Sequence, residues 1–152
     1  MYKQGDFVIC ASGGIWEIQD TSDGVLRLNE HSSGRIRSLF EGDSDIVRTV
    51  SSREQILDVI DRVCFIRTIQ APNDRVRREF YEEAMSKHDE VEWIKVIKSV
   101  YIRKQSGRLM KGEEVFAKSA KSYFHEEVSV VLGIPVGEVE EYIFTAVSKD
   151  KW

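Results

Sequence analysis

Long apolar runs are missing from this 152-residue sequence. A helix needs roughly 20 consecutive apolar residues to cross a bilayer, and no stretch approaches that, so no membrane partner is expected. Cysteine is scarce. Cys10 and Cys64 stand far apart among apolar neighbours, with no C-x-x-C pair and no Cys/His cluster. Two small buried residues are expected there, rather than a disulfide or a metal site. Catalytic signatures are missing as well. There is no H-E-x-x-H, no G-x-S-x-G and no Walker A loop, and Gly13-Gly14 is too short, with no helix after it, to cradle a phosphate. His31, His88 and His125 fall on three different elements, and His125-Glu126-Glu127 reads as surface and rim of a helix. Neither a cofactor nor enzyme activity is expected. The opening Met1-Tyr2-Lys3-Gln4-Gly5-Asp6 reads as neither a signal peptide nor a transit sequence, which makes the cytoplasm the expected location.

Excess positive charge is also lacking, with a formal net charge of −4. That argues against a general polyanion binder, but the distribution is uneven. Between Trp93 and Lys121 stand eight basic residues against only Glu113 and Glu114. Such a band can neutralise phosphates even in an acidic chain, or simply form a solvated helix face.

Two periodicities divide what is present. Residues 1–50 read as five short strands at roughly ten-residue spacing, near 6–10, 15–19, 25–28, 35–40 and 45–50, the pattern of a small barrel or strongly bent sheet. Asp23-Gly24 is a strong hairpin turn. From Ser52 the pattern becomes helical. Ser52 to Gln55 has capping-box spacing before Ile56, Val59, Ile60 and Val63. Cys64–Ile69 is ambiguous between helix and extended chain, and Ala71-Pro72-Asn73-Asp74 marks the best boundary. Helices follow near 74–87, from Asp89 to about Ser106, near 112–132 up to a Gly133 stop, and from Pro135 onward. The expected core stripes are Val76, Phe80, Tyr81 and Ala84; then Phe116, Ala120, Tyr123, Phe124, Val128, Val131 and Leu132; then Val139, Tyr142, Ile143, Ala146 and Val147. The fold class is α+β in two parts: a β-module over 1–50, a short helix and linker over 51–72, and an all-α domain over 73–152, about five helices in all.

Aromatic and basic residues supply the candidate sites. Trp16 reads as barrel core. Trp93 reads either as core or as an exposed wedge beside nucleic acid. Trp152 is terminal and expected to be loosely held. Arg35, Arg37 and Arg48 cluster on the later strands, and Arg35 and Arg37 share one face. Because the β-module is acidic, a protein partner bearing carboxylates suits them better than DNA, with plain solubility charge as the alternative.

Three stretches together resemble the CarD family of bacterial transcription factors. Lys3-Gln4-Gly5-Asp6-Phe7-Val8-Ile9 with Gly13-Gly14-Ile15-Trp16-Glu17-Ile18 is similar to the family's start, although Cys10-Ala11 and Gly13-Gly14 replace its usual Tyr-Pro and His-Gly. Val96–Lys104 is similar to a basic family helix. Ala117–Ile143, with Leu132-Gly133-Ile134 and Glu138-Val139-Glu140, is similar to its late segment. The resemblance implies a Tudor/SH3-like N-terminal module that binds the RNA polymerase β subunit. It also implies a helical domain that contacts promoter DNA and stabilises the open complex without enzyme activity. Arg37 matches a basic position of the polymerase-facing strand. Arg35 and Arg48 extend that site. Arg75, Arg77, Arg78, Lys95, Lys98, Arg103 and Lys104 are the expected phosphate contacts, making DNA affinity weak and salt-dependent. Many members carry a minor-groove wedge Trp where this chain has Ile69-Gln70-Ala71-Pro72-Asn73-Asp74, and the strand that often ends in Val-Pro reads Arg35-Ile36-Arg37-Ser38-Leu39. A protein–protein scaffold on the polymerase with little DNA role is the alternative.

Overall fold

The structure, a computed structural model, describes residues 2–147, so Trp152 lies outside the described residues. The chain forms two compact units, one ending at Ser52 and one beginning at Arg53.

The first unit is an antiparallel sheet of β1 (Phe7–Cys10), β2 (Ile15–Ser22), β3 (Val25–Glu30), β4 (Ile36–Phe40) and β5 (Ile46–Thr49), in the order β4-β3-β2-β1-β5. The Asp23-Gly24 turn works as its sequence suggests. Both residues take positive φ, 52° and 76°, so β2 runs on to Ser22 and pairs it with Val25. That two-residue geometry matches the twist of the flanking strands.

β4 and β5 are the two edges of the sheet, yet only residues 41–45 join them. Four strand spacings of a flat sheet amount to roughly 19 Å. The connection is not stretched to reach that far, because Asp43 N–H donates to the Phe40 carbonyl and Ile46 N–H to the Asp43 carbonyl. The sheet must therefore curl. Register shifts at Ile18/Asp20 and Ile9/Cys10 supply local bends. The sheet remains unclosed, a strongly bent five-stranded sheet rather than a sealed barrel. Its inside holds Val8, Cys10, Trp16, Ile18, Leu26, Leu28 and Ile46, with Tyr2 and Leu39 packed against them. Within β1, β2 and β3 these alternate along the chain, as the two-residue period of a strand requires. Burial, then the nearby Asp45 carboxylate, pushes the Cys10 thiol up to about 11, so it behaves as a small apolar core group.

The second unit contains α1 (Arg53–Asp61), a 3-10 turn at Val63–Phe65, α2 (Asp74–Ser86), α3 (Glu90–Gln105), α4 (Glu113–Leu132) and α5 (Val136–Ala146). The ambiguous 64–69 stretch thus finishes a short turn and continues without helix. α1 packs on α4 and α5.

The helix ends follow local chemistry. The Asn73 side chain accepts from Val76 N–H, and Asp89 accepts from Val91 and Glu92 N–H, which satisfies first-turn donors. Gly133 closes α4 at φ 72°, and both Gly133 N–H and Ile134 N–H donate to the Ser129 carbonyl.

α3 is the most embedded helix. Trp93, Ile94, Val96, Ile97 and Val100 are all buried, and α3 packs on both α2 and α4. The Trp93 ring is fully buried and stacks on Tyr123 at 5.2 Å with only 5° between planes. That settles its two readings in favour of core.

Three stripes differ from expectation: on α5, Val139 and Ile143 are buried, with Val147 just beyond, but Ala146 is exposed. On α2 the buried residues are Arg77, Tyr81 and Ala84, whereas Phe80 is exposed. The positions are one helical turn apart, so the stripe is present but rotated, with an arginine in it. On α4, Ala117 and Glu127 join Ala120, Phe124 and Val128 in the interior. Glu127 is therefore not part of a surface rim.

Candidate functional site

The β-unit arginines meet on one aromatic ring. Arg35 and Arg37 place their guanidinium carbons 5.6 and 5.3 Å from the centre of the Trp16 ring, within cation–π range. Trp16 is fixed from below by its indole N–H, which donates to the Gly13 carbonyl at 3.0 Å. Each arginine also holds a carboxylate. Arg35 Nε pairs with Glu30 Oε1 at 2.9 Å, and the Ser33 hydroxyl donates to the same oxygen. Burial works against a charge on Glu30, but the hydrogen bonds from Arg35 and Ser33 and the two guanidinium charges outweigh it and hold its carboxyl below the usual range.

Arg37 Nη1 reaches Asp45 Oδ2 at 3.0 Å and the Ser12 hydroxyl at 3.2 Å. Asp45 in turn accepts from the Ser12 amide at 2.8 Å and the Ser12 hydroxyl at 2.6 Å. Burial again opposes ionisation of Asp45; the Ser12 and Arg37 contacts overcome it and lower its pKa. The network ties strand β4 to the loop before β5 and so helps hold the curl. The Arg35 side chain is 70% exposed, against 31% for Arg37. Arg48 lies on β5 opposite Ile9, half-buried, with Nη1 donating to the Thr49 carbonyl.

Gly14 carries this assembly. It has φ +89°, and a Cβ there would meet Glu30 Oε2 at 2.3 Å and Trp16 Nε1 at 3.0 Å. A glycine pair too short to hold a phosphate is thus needed for close packing of Glu30 and Trp16.

The seven basic residues of the helical unit divide into two sets. Arg77, Lys98 and Arg103 have internal tasks. Arg77 is buried, with its terminal nitrogens 3.4 and 3.3 Å from the Ile69 and Ala71 carbonyls. Lys98 Nζ donates to the Val63 and Ile66 carbonyls at 2.8 and 2.6 Å, capping the end of the 3-10 turn. Burial lowers its pKa. Arg103 Nε pairs with Glu113 Oε2 at 2.8 Å, and its Nη2 donates to the Arg108 carbonyl at 2.6 Å.

Arg75, Arg78 and Lys104 are exposed and Lys95 is half-buried. Three of these face carboxylates on their own surface: Arg75–Glu79 at 3.4 Å, Lys95–Glu92 at 3.0 Å and Lys104–Glu114 at 3.4 Å. Arg78 Nη2 donates to the Lys111 carbonyl. Exposed pairs of this kind exchange readily for another anion, because each is worth at most about 1 kcal/mol.

The charge count named Glu113 but not its role. Glu113 is fully buried at the start of α4, where it accepts from the Tyr81 hydroxyl, Arg103 and the Met110 amide. Burial opposes its charge, but these three donors and the Arg103 charge hold its carboxyl below the usual range. The same contact, after burial, pushes the Tyr81 hydroxyl well above its ordinary value. The signal for Glu113 was its place as one of only two carboxylates in the basic band.

Among the described residues no group of three His, Cys, Asp or Glu side chains is placed to hold a metal ion. No helix of those residues is long and apolar enough to cross a membrane. An open cleft of about 290 Å³ lies between segment 67–70 and helices α2 and α3, lined by Phe80, Lys87, Glu92 and Lys95 among others. Its lining mixes both charges, and Lys87 and Lys95 both pair with Glu92. No protein-family model matches the chain, and no curated protein matches it.

Proposed function

We propose that this protein is a CarD-like, non-enzymatic regulator of bacterial transcription. In this reading the β-unit is a Tudor-like module that docks on the RNA polymerase β subunit, and the helical unit touches promoter DNA and lengthens the life of the open complex. The observation that carries it is the order of the two units: a strongly bent five-stranded antiparallel sheet up to Ser52, then five helices. That is the layout the sequence resemblance implies. The Arg35–Trp16–Arg37 stack supports the docking half. Arg residues packed on an aromatic are pre-ordered, so a partner carboxylate meets them at little entropic cost. Arg35 is the outer member and would make the first contact, with Arg37 behind it and Arg48 on the other edge strand.

On the DNA side, Arg75, Arg78, Lys95 and Lys104 would hold phosphates directly. Arg77, Lys98 and Arg103 would act mainly by shaping the surface that presents them. The test is the lifetime of the open complex on promoter DNA, with and without the protein. The reading expects a longer lifetime, and a shorter one again in a variant carrying Arg75→Ala and Lys104→Ala.

A second reading, a scaffold on the polymerase with little DNA role, is favoured by two observations. Segment 69–74 has no Trp, and Trp93 is buried and stacked on Tyr123. Polymerase binding with an unchanged open-complex lifetime would select it.

A further inference from the structure

A second, smaller cavity of about 150 Å³ lies within the helical unit. It is walled by Thr68, Ile69 and Gln70 on one side, Arg77 of α2 on another, and Ser99, Ile102 and Arg103 of α3 with Ser106 and Arg108 beyond its end. Three arginines, Arg77, Arg103 and Arg108, are among its lining residues, and no Asp or Glu is. We propose that this cavity is a seat for one phosphate group.

The size decides the class of ligand. The space exceeds what one water needs, but falls well short of the 300–1,000 Å³ of a nucleotide or cofactor pocket. A small tetrahedral anion fits between those limits.

The cations are poised for such a guest. Arg77 is 91% buried, taking its 9% exposure, and its Nε is buried without a hydrogen-bond partner. Its terminal nitrogens hold the Ile69 and Ala71 carbonyls only at the long end of hydrogen-bond range. Its other neighbour is the neutral Tyr81 hydroxyl, and a buried guanidinium gains more from a charged acceptor than from such neutral partners. Arg103 is charge-balanced by Glu113, so a guest anion would draw mainly on Arg77 and Arg108.

The C-terminal carbonyls of α3 would normally repel an anion there. Those of the lining residues Ile102 and Arg103 are already hydrogen-bonded: both accept from Ser106, and the Arg103 carbonyl also accepts from the Arg108 amide. Thr68 Oγ1 accepts from Gln70 Nε2 at 2.9 Å, which leaves its own proton to donate. The phosphate could come from solution, as inorganic phosphate or a monoester, or from a nucleic-acid backbone. The chemistry of the seat is the same for both.

The experiment follows the arginine Nε–H resonances of the full chain during titration with sodium phosphate, against sodium chloride at equal ionic strength. Phosphate alone should shift Arg77, Arg103 and Arg108 along one saturable curve. Arg108→Gln, a change at an exposed position, should weaken the apparent Kd roughly tenfold. Arg75→Gln, outside the cavity, should leave it unchanged. Equal responses to the two salts, or the same Kd in Arg108→Gln as in wild type, would overturn the proposal. A duplex DNA arm assigns the source. Competition between duplex and inorganic phosphate for the three signals identifies backbone phosphate, and simultaneous binding identifies phosphate from solution. Because the first arm contains neither polymerase nor DNA, its outcome is separate from that of the transcription reading.

Discussion

The two units use arginine in opposite ways. In the β-unit, Arg35 and Arg37 lie against the ring of Trp16 and stay at the surface, each anchored by one carboxylate. In the helical unit, Arg77 and Arg103 turn inward to backbone carbonyls and to the buried Glu113. One arrangement leaves cationic surface ready for a partner, whereas the other sets guanidinium groups inside the unit, where Arg103 pairs with Glu113. A positive band in a sequence therefore measures how many cations exist, not how many are available.

The largest effect expected from this contrast is at Arg103. Arg103→Ala strands a fully buried carboxylate and should cost about 3 kcal/mol of stability by urea denaturation. A residue serving only as a phosphate contact would cost less than about 0.5 kcal/mol. Gly14→Ala comes next. It forces a side chain into positive φ and against Glu30, and should lower stability by about 1–3 kcal/mol while spoiling the Arg35–Trp16 stack. Near-ultraviolet circular dichroism of the tryptophans reads the second effect.

Acid should act on both units with the same sign. Glu30, Asp45 and Glu113 all have folded pKa values held below their ordinary ones. Their contribution is complete above the unfolded values of roughly 4 and is lost as pH falls through the folded values. A melting-temperature profile should be flat with respect to these groups above about pH 5 and fall below it. Arg103→Ala should shrink that fall, because it removes one of the donors that depress Glu113. The smallest effects belong to Arg75→Ala and Lys104→Ala. Each should change stability by less than about 0.5 kcal/mol, and each should reduce the salt slope of DNA binding by about one.

Much of this architecture was legible in the sequence. The change from a two-residue to a helical period separated the strands from the helices, and Asp23-Gly24, Asn73, Asp89 and Gly133 marked ends that the structure keeps. All of those signals act within a few residues of chain. What escaped depends on distant pairs. Arg37 meets Asp45 and Ser12 only because the sheet curls, and Arg103 and Tyr81 both reach Glu113 only where three helices converge. The rotated α2 stripe has the same origin. Arg77 is tolerated in the interior because the non-helical segment 69–71 offers it two carbonyls, which no periodicity records.

The most direct test of the docking claim is binding of the full chain to the isolated RNA polymerase β subunit, measured by calorimetry for wild type and Arg35→Ala. Wild type should form a saturable complex. Arg35→Ala should lose at least about tenfold in affinity, as expected for an arginine anchor, with a modest fall in melting temperature from the loss of the Arg35–Glu30 pair. An absence of binding by wild type, or equal affinity in the two proteins, would contradict docking through Arg35.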